Sequence, residues 1–571
     1  MPEDPAVMPA PPVTQVAGVT TGGAYELPVY PFVEPAELRG KIGRHAVVVI
    51  GAGLAGLTAA CDLALHGVPV VVLDEDDTVG VRGASSRGIC YAQKSLEIFK
   101  RLGIFDRIAA RGVSWSVGRT LAGTDEVFTF DLKSLPNFDA SEQPPFINLQ
   151  QFYVEWYLAD RVYEIGTVDL RWKNKLIGCE QQRDSVTLTV ETPAGQYTME
   201  TQWVIDCSGS HSPLRSILDV PVRTEKVVDR WCISDVRFRT RPPAERWTWI
   251  HAPFNDDRAV WQHLMADDVW RLDYQMAPDA DPEQFSQPAI VADRLRRQFG
   301  PSVEYELVWI GPYSYRSQCL ETFRVGRVFF AGDAAHVMSP FGARGGNSGI
   351  QDADNLVWKL ALVLEGKAPE RLLDSYDTER RAAAKQNIRI TTRTARFLSP
   401  QAPMDRIFRD AVVSLAREFP FARGFVNTGR LSSPTHYADS PLNVGPGGGR
   451  SVQNIALTLP DGRRGDLVEL AELAGFRVLG LITQSVDRYF AQELELLEER
   501  YPVRFFRVQT DIGETSAFPT IIDADERLGA ELGIDAPSTC LLRPDLHLAG
   551  VLDDAGALDI ERALRKLLAH A

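Results

Sequence analysis

HAVVVIGAGLAGLTAACDLALHGVPVVVLD, residues 45–74, decides the fold. Residues 45–50 are a short β-branched apolar run, the mark of a strand buried on both faces of a parallel sheet. Residues 54–66 carry helical spacing and 68–73 form a second buried strand, so the stretch is one βαβ unit. Gly51, Gly53 and Gly56 fall between the first strand and the helix. Glycines at this spacing allow the tight turn, let backbone approach a pyrophosphate, and let helix pack closely on strand. An anion placed there meets unpaired N–H groups and the positive end of the helix dipole. Asp74 ends the second strand eighteen residues after Gly56, where a carboxylate bonds the ribose hydroxyls of an adenosine. The glycines alone are a weak signal. With both strands, the helix and the terminal acid in register they predict a dinucleotide site.

Outward from this unit, 571 residues are too many for one core, so two to four domains are expected. Hydrophobic content of 44% with 24% charged residues is ordinary for globular proteins. A net charge of -15 argues against nucleic acid and membrane surfaces as partners, since both want clustered Lys and Arg. Cys61, Cys90, Cys179, Cys207, Cys232, Cys319 and Cys540 are scattered, with no C-x-x-C and no Cys/His pairing. That pattern fits reduced thiols and gives no metal site. No N-terminal basic segment precedes an apolar run, and nothing approaches the roughly 18 apolar residues of a membrane span. A cytoplasmic protein is expected.

Residues 1–44 read as an irregular arm, because eight prolines exclude long elements. Residues 45–224 hold the first part of the nucleotide-binding domain, with strands near 115–145 that belong to a second sheet. In 225–310, Phe238, Trp247, Trp249, Trp261, Trp270 and Tyr274 lie in runs alternating with polar residues, which predicts an antiparallel sheet. Residues 311–440 return to the nucleotide-binding domain, with a buried strand at 325–331, a helix at 347–366 and a mostly helical region over 370–430. NVGPGGGR, 443–450, closes the linker assigned to 441–450. Residues 451–571 alternate strand and helix as a compact final domain.

A second motif, GRVFFAGDAAH at 326–336, puts Gly332 and Asp333 at the end of a buried strand. It continues into SPFGARGGNSG, 339–349. Together these resemble the single-component FAD-dependent aromatic hydroxylases, the class of 4-hydroxybenzoate, phenol and 3-(3-hydroxyphenyl)propionate hydroxylases. The resemblance implies an α/β fold: a Rossmann-like FAD-binding domain, an inserted antiparallel-sheet substrate domain and a C-terminal thioredoxin-like domain. It places Asp333 on the flavin ribityl chain and runs the loop with Gly345, Gly346 and Asn347 past the isoalloxazine ring. Pro340 then shapes the loop beside the flavin. Arg87 matches the family's pyrophosphate-binding arginine, and Gln151 a glutamine on the flavin side of the cofactor. In the third family motif, DCSGSHSPLR at 206–215, Gly209, Ser212 and Arg215 are in place, but Ser208 stands where the family has Asp. Asp206 would point the same way only if the segment stays extended. The tail's LRPD, 542–545, resembles the thioredoxin-like domain of phenol hydroxylase; lacking C-x-x-C, it is read as structural or as a dimer contact.

What the resemblance implies for activity is hydroxylation of a phenolic or related aromatic substrate with dioxygen and NADH or NADPH, through a 4a-hydroperoxide of non-covalent FAD. A homodimer is expected. The open alternative is an FAD-dependent oxidase or dehydrogenase without oxygen transfer. Hydroxylation needs a dry site and an acceptor within about 3 Å of the phenolic hydroxyl. The hairpin WQHLMADDVWRLDYQM, 261–276, offers His263 beside Trp261 on one strand and Arg271 on the next. Arg271 resembles the family's arginine against the flavin, and His251 falls near the position of a substrate-deprotonating tyrosine. His251 and His263 both compete for the role of base with an ordinary packing or solvated place in the sheet.

Overall fold

A computed structural model describes residues 18–22, 25–80, 88–134, 141–225, 229–314, 316–429, 431–511, 518–534 and 536–570. Val168–Trp172, Val70–Asp74, Gly43–Ile50 and the twelve-residue Gly195–Asp206 lie side by side in parallel. The last of these pairs with Gly43–Ile50 along one edge and divides its other edge between two partners. Its first half pairs antiparallel with Val186–Thr192, and residues 204–206 pair parallel with Val328–Phe330. Both nucleotide motifs therefore end at the same edge of one eight-stranded sheet. Helix Leu54–Leu65 packs on the sheet and on helix Gly345–Leu364; both are buried along most of their length, as a helix with apolar or small residues all round must be.

The second sheet has seven strands in the order Tyr305–Ser314, Arg230–Phe238, Val269–Gln275, Arg258–Leu264, Arg246–Ala252, Val117–Ala122, Asp125–Asp131. Its strands from Arg230 onward pair antiparallel, as expected for 225–310, and Arg246–Ala252 runs parallel to Val117–Ala122. That junction joins two strands far apart in sequence, where no hairpin fixes the direction. The sheet is covered on both sides. Trp249, Trp270 and Tyr274 pack with Val291 and Leu295 of helix Pro288–Phe299. Trp231, Ile250 and Trp261 pack with Phe341 and with residues of helices Asp374–Leu398 and Pro403–Glu418.

The C-terminal sheet also has seven strands, ordered Arg464–Asp466, Ala456–Thr458, Thr520–Ile522, Val503–Gln509, Val478–Ile482, Ser538–Leu542, Leu548–Asp553. One face shares a core with Trp358, Leu362, Leu372 and Leu442 of the preceding region.

Two sequence expectations need correction. The N-terminal arm is not irregular where described: Gly18–Gly22 and Tyr25–Val29 form a hairpin, and a turn of 3-10 helix follows at Ala36–Arg39. These elements are only four or five residues long, and Pro28 and Pro35 lie within or at the start of two of them. Nor is 443–450 a free linker. Gly449 N–H donates to Leu548 O and Val444 N–H to Ala549 O. A Cβ on Gly445 would sit 2.6 Å from Val551 O, and one on Gly449 would collide with Tyr437 O. These glycines permit close backbone approach, not motion. Among the described residues no helix is long and apolar enough to cross a membrane.

Candidate active site

The three glycines of the first motif have three different reasons to be glycine. Gly51 has φ +97°, and a Cβ there would lie 2.6 Å from Cys207 O. A Cβ on Gly56 would collide with Gly51 O. At Gly53 the only neighbour of a Cβ among the described residues is Glu155 Oε1 at 3.7 Å, so those residues leave room there. That room lies at the start of helix Leu54–Leu65, which has no side-chain cap, and the first-turn N–H groups beyond Leu54 lack intrahelical partners. A second uncapped start, that of helix Gly345–Leu364, meets it: a Cβ on Gly346 would touch Leu54, and one on Gly349 would touch Ala55. Gly345 is open apart from Met338. Gly332, at φ +59°, lies against Ala55 and Gly349 and donates its N–H to Asp352 Oδ2 at 2.9 Å. Two helix N-termini and a glycine-only opening fit an anionic dinucleotide such as FAD.

Asp74 ends its strand as expected. It accepts from Ala52 N at 2.5 Å and Asp76 N at 2.8 Å, and burial pushes its pKa up to about 6 against those bonds. Gln151 begins helix Gln151–Ile165, accepts from Gly88 N at 2.8 Å and donates to Glu155 at 2.8 Å. Glu155 takes the Leu54 and Gly80 N–H groups as well; burial raises it to about 6. Sequence reasoning missed Glu155 as a site residue, although its four-residue spacing from Gln151 was the available signal. Arg87 lies outside the described residues. Asp333 is exposed on the 3-10 turn Gly332–Ala334, whose carbonyls at 333 and 334 accept from Arg215. Asn347 is different in kind. Its side chain bonds Ala92 N, Ser95 Oγ, Cys90 O and Ala343 O, so it fastens the loop and leaves only its backbone N–H for a ligand.

In the third motif the strand stops at Asp206. Asp206 turns inward, is buried, and accepts from Ser208 N at 3.0 Å, Ser208 Oγ at 2.5 Å and Ser212 Oγ. It holds the turn that sets Ser212 as the cap of helix Pro213–Ile217.

On the second sheet, register puts His263 opposite Arg271 and Trp261 opposite Asp273. Arg271 is buried and paired with Asp235 through two bonds of 2.9 and 3.0 Å. His263 is 7% exposed, its Nδ1 has no partner among the described residues, and its pKa is held well below the usual value by burial and then by Arg246 and Arg271. Burial raises Asp273 to about 7, a change that Arg271 opposes. Phe341, next to Pro340, meets Trp261 edge-on at 4.7 Å and Trp231 at 5.7 Å, so the loop after the second nucleotide motif docks on this face. His251 is not brought into the group. A bulge in Arg246–Ala252 leaves its ring 28% exposed, 3.8 Å from Asp410 of helix Pro403–Glu418.

Comparison with known proteins follows this geometry. A family model described as FAD binding domain matches residues 44–391. A 3-(3-hydroxy-phenyl)propionate/3-hydroxycinnamic acid hydroxylase of Mycolicibacterium gilvum is 31% identical, over 68% of this chain and 67% of that one. A protein of the same name from Mycobacterium avium is 27% identical over 91% of each. Among solved structures, the flavin-dependent monooxygenase PieE with FAD and substrate has TM-score 0.77 at 21% identity, over 92% of this chain and 99% of that one. Aklavinone-11 hydroxylase with FAD and aklavinone has TM-score 0.73 at 22% identity, over 93% and 100%.

Proposed function

We propose, from the premise that this chain belongs to the family of FAD-dependent aromatic hydroxylases, that it hydroxylates a phenolic substrate between the Pro340–Phe341 loop and the sheet face of Trp261, His263 and Arg271. The observation that carries this reading is His263 Nδ1, buried, without a partner among the described residues, its ring edge-on to Trp261 on that face. FAD, when bound, would supply the redox chemistry between NADH or NADPH, dioxygen and the ring. The chain's own groups do the rest. The N–H groups of the two helix starts, with Gly53, Gly345 and Gly346, hold the pyrophosphate and flavin end of the cofactor. Asp74 takes the adenosine ribose, Asp333 the ribityl chain, and Gln151 and Glu155 set the entry to the first helix.

On the substrate side, Trp231, Trp261 and Phe341 exclude water. Burial keeps His263 neutral, so Nδ1 accepts the hydrogen bond of the phenol and raises electron density on its ortho and para carbons. Arg271, fixed by Asp235, cannot move its charge away from this face. The role of base moves from His251 to His263 because only His263 lies with Trp261 and Arg271.

The C-terminal sheet is read as a thioredoxin-like domain without redox function, supported by burial of Cys540, whose thiol is pushed up to about 12. The enzyme is taken as a cytoplasmic homodimer. Exposed Met404, Ile407, Phe408, Phe421 and Phe425 supply an apolar surface for a second copy; Phe408→Glu with Phe421→Glu should give monomers by light scattering. The activity test is NAD(P)H oxidation stimulated by phenolic acids, with mass spectrometry of the product. A product heavier by one oxygen atom supports hydroxylation. Hydrogen peroxide as the sole product would make the protein an oxidase.

A further inference from the structure

Helix Gln93–Arg101 is short, yet Lys94, Ser95, Glu97 and Arg101 on it are all buried. Polar groups are buried in this way where each has a partner, and here the partners fall into two sets. One set belongs to the nucleotide site. Ser95 Oγ donates to Asn347 Oδ1 at 2.7 Å, and Ala92 N, just before the helix, donates to the same oxygen at 2.9 Å. Arg101, at the other end, pairs with Asp62 of helix Leu54–Leu65 and with Asp354 of helix Gly345–Leu364, each at 2.8 Å. The other set belongs to the C-terminal domain. Lys94 Nζ donates to Asp545 O at 2.8 Å, and Glu97 Oε1 accepts from Asn454 N at 3.0 Å. Gln93 Oε1 accepts from Gln453 Nε2 at 3.2 Å, and Lys100 bonds Asp466 and Glu469. Gln93, Glu97 and Lys100 are three or four residues apart and so share one stripe of the helix. Asn454 is itself locked, accepting from Val468 N at 2.8 Å and donating to Gln143 at 2.9 Å.

We infer that the C-terminal domain sets the flavin loop through this helix, with Glu97 and Lys94 as positioning residues. The inference rests on the functional reading above, which runs the flavin along residues 345–347. The contacts form one continuous chain. It passes from Asn454 and Asp545 to Glu97 and Lys94, along less than one helical turn to Ser95, and from Ser95 to Asn347. A rigid helix carries a displacement at one residue to its neighbours, so unseating Glu97 moves Ser95 and loosens Asn347. The N–H groups at the start of helix Gly345–Leu364 then lose their fixed aim. This gives the C-terminal domain, which has no C-x-x-C, a role in the flavin site.

The test uses the full chain and reads three quantities: FAD affinity by titration, hydrogen exchange of the 339–349 backbone in the FAD-loaded form, and the ratio of hydroxylated product to hydrogen peroxide. Glu97→Ala should weaken FAD on the order of tenfold, the scale of one lost buried hydrogen bond. It should also speed exchange across 339–349 and raise the share of peroxide. Glu97→Gln keeps the Oε1 acceptor and should restore all three. Ser95→Ala should act in the same direction as Glu97→Ala. The two together should be no worse than the stronger single change, because both act through Asn347. If Glu97→Ala folds poorly, Lys94→Met serves: Asp545 O keeps its bond from His547 Nδ1 at 3.2 Å, so FAD should weaken with the melting temperature little changed. A lowered melting temperature with FAD affinity and loop exchange at wild-type values would overturn the inference, since that is what a purely structural contact gives. Additive effects of Glu97→Ala and Ser95→Ala would overturn it as well. Full FAD content in Gly345→Val would remove the flavin placement, and the inference with it. If the helix variants shift FAD affinity and loop exchange as expected, yet the wild type yields only peroxide, the inference stands and the hydroxylase reading fails.

Discussion

Gly53→Val and Gly56→Val separate a glycine that serves a ligand from one that serves the fold. At Gly53 the backbone has φ -84°, open to any residue, and the nearest atom to a new Cβ is Glu155 Oε1 at 3.7 Å. The change should alter stability of the FAD-free protein by about 1 kcal/mol or less, the scale of a changed helix cap. The same side chain enters the space where a pyrophosphate would approach the helix start. Losing two charge-assisted hydrogen bonds at about 1.5–3 kcal/mol each weakens FAD by about 10²–10⁴-fold. At Gly56 the new Cβ collides with Gly51 O, so the strand–helix turn must open. Overpacking of this kind costs about 1–3 kcal/mol or more, with or without ligand. The assay is visible flavin absorbance per polypeptide, followed by FAD titration and thermal unfolding of the FAD-free forms. Gly53→Val should be colourless and stable, and Gly56→Val unstable in both states. Full FAD content in Gly53→Val would refute the placement of the pyrophosphate.

His263→Phe should retain FAD but lose about 10²–10⁴-fold in hydroxylation, the range for a positioned base, whereas His251→Phe should stay near wild type; the opposite pattern in product assays returns the role to His251. Because burial and two guanidiniums hold the His263 pKa down, an unfolded chain binds this proton first as pH falls. Stability should therefore drop below about pH 6.5, by up to about 1.4 kcal/mol per pH unit from this group, and His263→Gln should flatten that limb of the melting profile. Arg543→Met removes one of the two cations on Glu379 among the described residues, leaving Lys359, so a loss of about 3–5 kcal/mol is expected in denaturant unfolding. Deleting residues 450–571 should be worse, since it uncovers Trp358, Leu362 and Leu372; a truncate that stays monodisperse with bound FAD would contradict the shared core.

What was legible in the sequence was the part written in apolar periodicity and glycine spacing. The strands at Gly43–Ile50 and Val70–Asp74 and the helix Leu54–Leu65 begin or end within two residues of the reading, and the hairpin read over 261–276 forms, turning at Ala266–Asp268. The glycines of 443–450 misled because one residue type answers two needs: freedom of a linker and close contact of two backbones. Only the partner strand Leu548–Asp553, a hundred residues later, decides between them. The buried ion pairs were equally hidden. Asp352 bonds Gly332 N, His336 and Arg380, and Arg380 reaches Tyr437, which stacks on His547. A run of charged residues on helices reads as a solvated face until the second helix and the C-terminal sheet are known to cover it.

The candidate substrate face shows the same effect with consequences for function. Arg246, Thr248, His263, Arg271 and Asp273 alternate with large apolar residues, the pattern of a sheet with one wet face. Here that face is dry. Phe341 and helices Asp374–Leu398 and Pro403–Glu418 close over it, and the opposite face is closed by helix Pro288–Phe299. Once both faces are covered, each polar residue must find a partner or await one. Arg271 found Asp235 within the sheet. Among the described residues, His263 Nδ1, Trp231 Nε1, Trp261 Nε1 and Arg246 Nε did not. On the function proposed above, the unmet groups, and not the aromatic alternation that first drew attention to these strands, mark where a polar aromatic molecule would sit.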